Sequence, residues 1–278
     1  MLSSERWSHK SFGFGVLADA DEGRLLRIKD QVVFQILRSL LPRFKYQTVL
    51  KREQRISMCT DTEDQKNACL DDILARRRSY RMFRPEFPPD DAIRRIIHAG
   101  LLAPFAAAAV GNSTDYFRRF FVMKKGSRSM AAVSPLVMEQ VKVMEQGIEN
   151  EMKEHPELRT RAVSFVQRLI TMRKMGRVPG IGTAPFYIVV AERKGFPPVE
   201  QQSLAHCLEN MWLKATALNL GFQMVSVTAQ MSSDPAFCKI LGIPAGEWEL
   251  MGCAIGYSQE ELGPSIRPPV DDVTLWLE

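Results

Sequence analysis

LARRRSYRMF, residues 74–83, sets three consecutive arginines, a serine and a fourth arginine close together. Arg76, Arg77, Arg78, Ser79 and Arg81 can surround one small, doubly charged anion. Guanidinium groups donate planar, often bidentate, hydrogen bonds to phosphate and keep their charge at any working pH. The ligand this predicts is a phosphate. The competing reading is a solvated arginine-rich helix end paired with Asp or Glu, and for Arg76 alone that reading is preferred. The stretch that follows, FRPEFPPDDAIRRIIHAGLLAP at 83–104, breaks at Pro88-Pro89 and restarts a helix at Asp90 or Asp91. It places Ile93, Ile96, Ile97 and Leu101 at helical spacing on one buried face.

Upstream, a helix is expected from Asp71 to Arg78, with acidic residues in its first turn and arginines in its last, both favourable against the helix dipole. Downstream, the helix from about Pro89 to Leu102 stops at Pro104, and FAAAAV at 105–110 reads equally as helix or loop. YFRRFFVMKKG at 116–126 reads as a strand ending in a turn. Residues 128–176 are almost all helical, with one stripe at Val137, Val141, Met144, Ile148 and Met152. A second stripe follows the break at Pro156: Leu158, Ala162, Phe165, Val166 and Leu169. This helix pair is read as a lid or as helical bulk at a dimer interface. FYIVVAER at 186–193 is a central buried strand, since aromatic and β-branched residues dominate it. Residues 201–220 form the core helix, with Gly221 expected at its C′ position. An extended FQMVSV, a short helix capped by Asp234 and a second buried strand in ELMGCAIGY complete the domain. The proline-rich tail ends in Val273, Leu275, Trp276 and Leu277, which need a burial site.

Composition bounds the reading. The chain has 278 residues, 45% of them apolar, enough for a substantial core. No apolar run approaches the ~20 residues of a membrane helix, and the first thirty residues lack a secretory signal. A cytoplasmic protein with no membrane partner is expected. Cys59, Cys69, Cys207, Cys238 and Cys253 are odd in number and scattered, which fits reduced thiols better than a disulfide framework or a metal site. The formal charge of +5 comes wholly from residues 1–57, which carry eleven Lys and Arg against six Asp and Glu, leaving twenty-six of each sign in residues 58–278. That neutrality argues against a nucleic-acid partner. No P-loop, G-x-S-x-G, H-E-x-x-H or C-x-x-C occurs. His98 and His206 lie on amphipathic helices, where a core or interface role is the default. Met172 and Met175 fall where they could shape an adaptable substrate pocket.

The order of an arginine-rich helix end, proline turn, short amphipathic helix and Ala-Pro loop continues with APFYIVVAER (184–193), ENMWLKATALNLGF (209–222), LGIP (241–244), MGCAIGY (251–257) and IRPPVDDVTLW (266–276). Over residues 68–277 this pattern resembles the nitroreductase family of FMN enzymes. Many such chains begin as Met58 does here, with MCTDTEDQKNACLDDILARRRS. Residues 1–57 are then a basic extension that packs on the domain or its dimer partner, or residues upstream of the natural start. The domain proper is 58–278. The resemblance implies an α+β three-layer sandwich with a mixed, mostly antiparallel sheet flanked by helices. It also implies an intertwined homodimer with FMN at the subunit interface and a carboxy-terminal arm that reaches across to the partner.

Carried over residue by residue, the resemblance assigns the FMN phosphate to Arg77, Arg81 and Ser79, with Arg78 near the ribityl chain or flavin edge and Arg267 as the second phosphate grip. The loop Pro104-Phe105-Ala106 would meet the flavin edge, with Asn112 as a further candidate ligand. Here the chain departs from the family, since Phe105 and four alanines replace its polar side chains. Backbone N–H groups of Met224 to Ala229 would face flavin N5. No side-chain catalyst is needed, because the flavin carries the chemistry. The activity implied is hydride transfer from NADH or NADPH to an electron-poor acceptor such as a nitroaromatic or quinone. The alternatives are an FMN-storage or sensing protein without turnover, or a divergent relative that removes halogen reductively or fragments flavin with oxygen.

Overall fold

The computed structural model describes residues 62–110, 116–263 and 265–277. The extension over 1–57, Cys59 and Asn112 lie outside the described residues. Everything below concerns the compact unit spanning Asp64–Glu278 and the two residues before it.

Four strands pair in the order β1-β2-β4-β3: β1 Arg118–Lys124, β2 Phe186–Arg193, β3 Gly221–Val225 and β4 Trp248–Gly256. All three ladders are antiparallel. One isolated parallel bridge, Ser79 to Phe222, sets the arginine segment beside β3. β2 is central as expected, and its alternate residues feed two cores. Tyr187, Val189 and Ala191 face one layer, and Phe186, Ile188 and Val190 face the other. This period-two division is what a strand buried on both faces requires.

Helix α1 spans Glu63–Arg76, α2 Asp90–Leu101, α3 Ala107–Val110, α4 Arg128–Glu154, α5 Leu158–Arg161, α6 Val163–Met175, α7 Glu200–Ala217 and α8 Pro235–Leu241. The first layer is built by α4 and α8, whose Val133, Val137, Val141 and Phe237 are fully buried. The second is built by α2 and α7 through Ile93, Ile96, Leu204, Leu208 and Met211. Each such fully buried apolar side chain stabilises by roughly 1.5–3 kcal/mol relative to exposure. The three-layer sandwich is therefore the observed fold.

Several expectations need correction. α1 begins at Glu63, not Asp71, and buries none of its residues. Apolar periodicity could not reveal it, since its polar first half is held by acidic residues at the dipole's positive end. Leu101 is exposed, and the close approach of α2 to α7 is made by Gly100, where an added Cβ would lie 2.8 Å from Met211. The first half of α4 is no lid, because it forms the floor of one core. The second stripe is broken between α5 and α6, leaving Phe165 exposed and Leu169 buried. Gly221 does not cap α7. Asn219 takes the left-handed conformation (φ 55°), and Gly221 opens β3. A Cβ on Gly221 would come within 3.2 Å of Tyr80, so glycine lets the arginine segment lie against the sheet.

Candidate functional site

α1 makes its last backbone bond from Arg77 N–H to the Ile73 carbonyl at 3.1 Å. Beyond it the chain straightens, because the Tyr80 N–H reaches the Phe222 carbonyl (3.1 Å) and the Arg84 N–H reaches that of Tyr257 (2.9 Å). The arginines thus do not continue a helix; they run out of one into a segment clamped between β3 and the chain leaving β4. Glu260 completes the clamp. Its carboxylate accepts from the backbone N–H of Arg81 (2.5 Å) and of Met82 (3.0 Å). Trp212 of α7 donates its indole N–H to the Arg78 carbonyl at 3.2 Å. Its ring carries the Arg77 guanidinium at 4.5 Å and stacks on Phe222.

This scaffold places Arg77, Arg78, Ser79 and Arg81 around one cleft of ≈ 340 Å³, and the tail brings in Ser265 and Arg267. The residues expected to hold a phosphate therefore meet at one cleft and come from both ends of the domain. Among the described residues, Arg77 is the one of these guanidiniums with an ion-pair partner, Glu209 at 3.6 Å, while the Glu260 carboxylate lines the same cleft. Among the described residues, the Arg267 side chain donates to the Ile266 carbonyl and the Arg81 side chain to that of Ser79, and to no other group. The Arg78 Nη1 is buried and has no hydrogen-bond partner among the described residues. A buried guanidinium N–H without an acceptor costs about 1–3 kcal/mol, a cost that an acceptor entering the cleft would remove. Arg76 behaves as expected of it alone, pairing with Asp72 at 2.7 Å and with Asn219.

The remaining candidates lie elsewhere. Pro104 and Ala106 are exposed, Phe105 leans on Phe117 with ring centroids 4.4 Å apart, and none of the three lines the arginine cleft. Met224 is partly exposed, while Ser226–Met231 forms a 3₁₀ turn that buries Val227 and Thr228. The Thr228 hydroxyl hydrogen-bonds Tyr187 at 2.7 Å, in a space that a Cβ on Gly252 would invade at 2.1 Å. Burial, eased by that bond, holds the Tyr187 phenol well above its ordinary range. Sequence reasoning missed Trp212, Glu209, Glu260 and Ser265. The first two share a face of α7 at i and i+3, but nothing local links them to Arg77. Among the described residues no group of His, Cys, Asp and Glu converges as a metal site, and no helix is long and apolar enough to cross a membrane.

The model of the nitroreductase family matches residues 74–257, from the arginine segment through the last strand. The chain belongs to the nitroreductase family. Solved nitroreductase-fold structures agree in architecture. One from Bacteroides fragilis NCTC 9343, with bound FMN, superposes at a TM-score of 0.53 with 18% identity, over 75% of this chain and 98% of that one. The FMN- and NADPH-dependent nitroreductase NfnB from Sphigopyxis sp. strain HMH gives 0.51 with 19% identity, over 75% and 99%. A BluB-like flavoprotein from Clostridium difficile 630 gives 0.52 with 20% identity, over 75% and 99%. No curated protein sequence matches the chain. At these identities the likeness fixes the nitroreductase fold, and the chemistry must be argued from the cleft.

Proposed function

We propose that this nitroreductase-family chain is an FMN-dependent oxidoreductase that moves hydride from NADH or NADPH to an electron-poor acceptor such as a nitroaromatic or quinone. The observation that carries the reading is the arginine cleft, in which the buried Arg78 Nη1 lacks an acceptor and Glu260 is already engaged by two backbone N–H groups. A phosphomonoester brings about two negative charges and three acceptor oxygens, which this donor set fits.

Arg77 and Arg267 would hold the phosphate, Ser79 would offer its hydroxyl, and the Trp212 ring would keep the Arg77 guanidinium in place. Arg81 would share in holding the phosphate, and because it lines the next cleft as well, its positive field also reaches beyond the phosphate, where it favours an anionic partner. When bound, FMN supplies the hydride-accepting and hydride-donating chemistry. The backbone of Met224 to Ala229 offers N–H donors, and the fold needs no side-chain acid or base for the transfer. Pro104 to Ala106, outside the cleft of their own chain, are placed by this reading at the cofactor of a second copy. A homodimer would also cover Leu275 and Trp276, now 88% and 90% exposed, and the bare apolar residues Leu70 and Leu74 of α1.

The protein purified in the presence of FMN is expected to be yellow, and anaerobic NADPH or NADH is expected to bleach it. A colourless protein that takes up no FMN would defeat the reading. Bound flavin that neither nucleotide reduces would leave a flavoprotein without this activity.

A further inference from the structure

On the far side of Arg81 lies a second cleft of ≈ 460 Å³, into which Lys125 and Arg177 also project. Its floor is apolar and adaptable, formed by Met82, Phe83 and Met175. Among the described residues, no carboxylate stands within ion-pair distance of Arg81, Lys125 or Arg177, and none lines the cleft. The next cleft along, ≈ 660 Å³, shares Arg177 but is otherwise neutralised: Lys142 pairs with Glu139 at 2.7 Å and Arg173 with Glu145 at 2.8 Å. Two neighbouring clefts of one surface therefore treat their cations in opposite ways.

The charge is also too large for a single phosphate. The arginine cleft and the second cleft together present Arg77, Arg78, Arg81, Arg267, Lys125 and Arg177, faced by the carboxylates of Glu260 and Glu209. One phosphomonoester supplies about two negative charges, which leaves an excess of about two positive charges. By position that excess belongs to Lys125 and Arg177. Both sit on pinned backbone. The Lys125 N–H is bonded to the Pro185 carbonyl at 2.9 Å, and Arg177 lies between the left-handed Gly176 and the buried Val178. Gln223 fixes the same loop through the Pro179 carbonyl at 3.0 Å. The backbone beneath both cations is thus fixed before a ligand arrives, which lowers part of the ordering cost of binding.

We propose that Arg81, Lys125 and Arg177 form an anion-recognition subsite for the second ligand of the reaction, selecting substrates whose flat body carries a carboxylate or phosphate group. This rests on the FMN reading. The anion has two possible sources: an acidic group on the acceptor, or the 2′-phosphate that distinguishes NADPH from NADH.

The test uses the FMN-loaded full chain with two matched pairs, 4-nitrobenzoate against nitrobenzene and NADPH against NADH. In Lys125→Gln and Arg177→Gln the kcat/KM preference for the charged member of one pair is expected to fall about tenfold, through KM, as for loss of one charge-assisted bond. A fall confined to the nitrobenzoate pair assigns the anion to the acceptor; a fall confined to the nucleotide pair assigns it to the reductant. Preferences that do not move in either pair overturn the proposal. So does a tenfold rise in the FMN dissociation constant of these variants, which would give the cleft to the flavin itself. If the chain binds no FMN, the function proposed above fails instead. Equilibrium binding of 4-nitrobenzoate and NADPH to the flavin-free chain then decides the subsite: affinity lost in the variants supports it, and no binding by the unaltered chain overturns it.

Discussion

Arg118 and Arg78 are both arginines with buried guanidinium atoms, and the protein treats them in opposite ways. Arg118, 2% exposed, meets Glu192 across the β1–β2 ladder, donates to the Gly100 carbonyl at 2.7 Å and to Ser203 at 3.0 Å, and Ser203 closes the ring onto Glu192. Its directional donors are used within the chain. Arg78 is held by its own carbonyl, bonded to Trp212, while its Nη1 is left open beside three further guanidiniums. A satisfied buried cation belongs to the fold, and an unsatisfied one beside a cleft belongs to a ligand.

The comparison breaks most sharply at the buried pair. Removing one partner leaves the other charge buried and uncompensated, so Arg118→Ala is expected to destabilise the domain by about 3–5 kcal/mol. Replacing both, as Arg118→Met with Glu192→Leu, is expected to recover most of that loss, because an apolar pair of similar volume avoids the desolvation cost. Urea midpoints of the two variants measure the difference, and equal losses would mean the pair is not a unit.

The opposite pattern is expected in the cleft. Arg77→Ala combined with Arg267→Ala removes two charge-assisted contacts to a phosphate and should weaken FMN binding at least about 100-fold. The urea midpoint of the flavin-free chain is expected to fall only slightly, since the repulsion relieved by removing the two cations offsets part of the lost Arg77 contacts with Trp212 and Glu209. Fluorescence titration with FMN and denaturation without it separate the two effects. Loss of stability without loss of affinity would place these arginines with Arg118.

This division was only half legible in the sequence. The cleft could be anticipated because its chemistry is concentrated in 77–81 and because Arg267 sits in a tail motif of recognisable order. The sheet and its two covering layers could be anticipated because β2 and β4 carry dense apolar runs and α2 and α7 place apolar residues at helical spacing. The Arg118–Glu192 pair could not, because 74 residues separate its members and each stands beside another charged residue, Arg119 or Arg193, with nothing local to single it out. α1 was half hidden for the complementary reason, having no buried face to write a pattern. Glu260 escaped notice because it recognises backbone N–H groups 178 and 179 residues away, and any residue can supply those.

The smallest expected effect probes the low-dielectric layer around the satisfied pair. Burial pushes the Cys207 thiol from its ordinary 9.0 up to about 12, with Arg118 pulling it down and Glu192 pushing it up. Burial also raises Cys253 well above its ordinary range, reinforced by Cys207. Both folded values exceed the unfolded ones, so the thiols' full contribution to stability is present below pH 9 and is lost as pH rises toward 12. Each thiol should remove about 1.4 kcal/mol per pH unit within that window, because only the unfolded chain ionises there. Unfolding midpoints of the native chain and of Cys207→Ala between pH 8 and 10.5 test this. The alanine variant is less stable at pH 8 through lost packing, yet its stability should fall less steeply as pH rises. Parallel slopes would show that Cys207 ionises as readily folded as unfolded. The layer next to Arg118 would then be wet, and the contrast with the open arginine cleft would lose its physical basis.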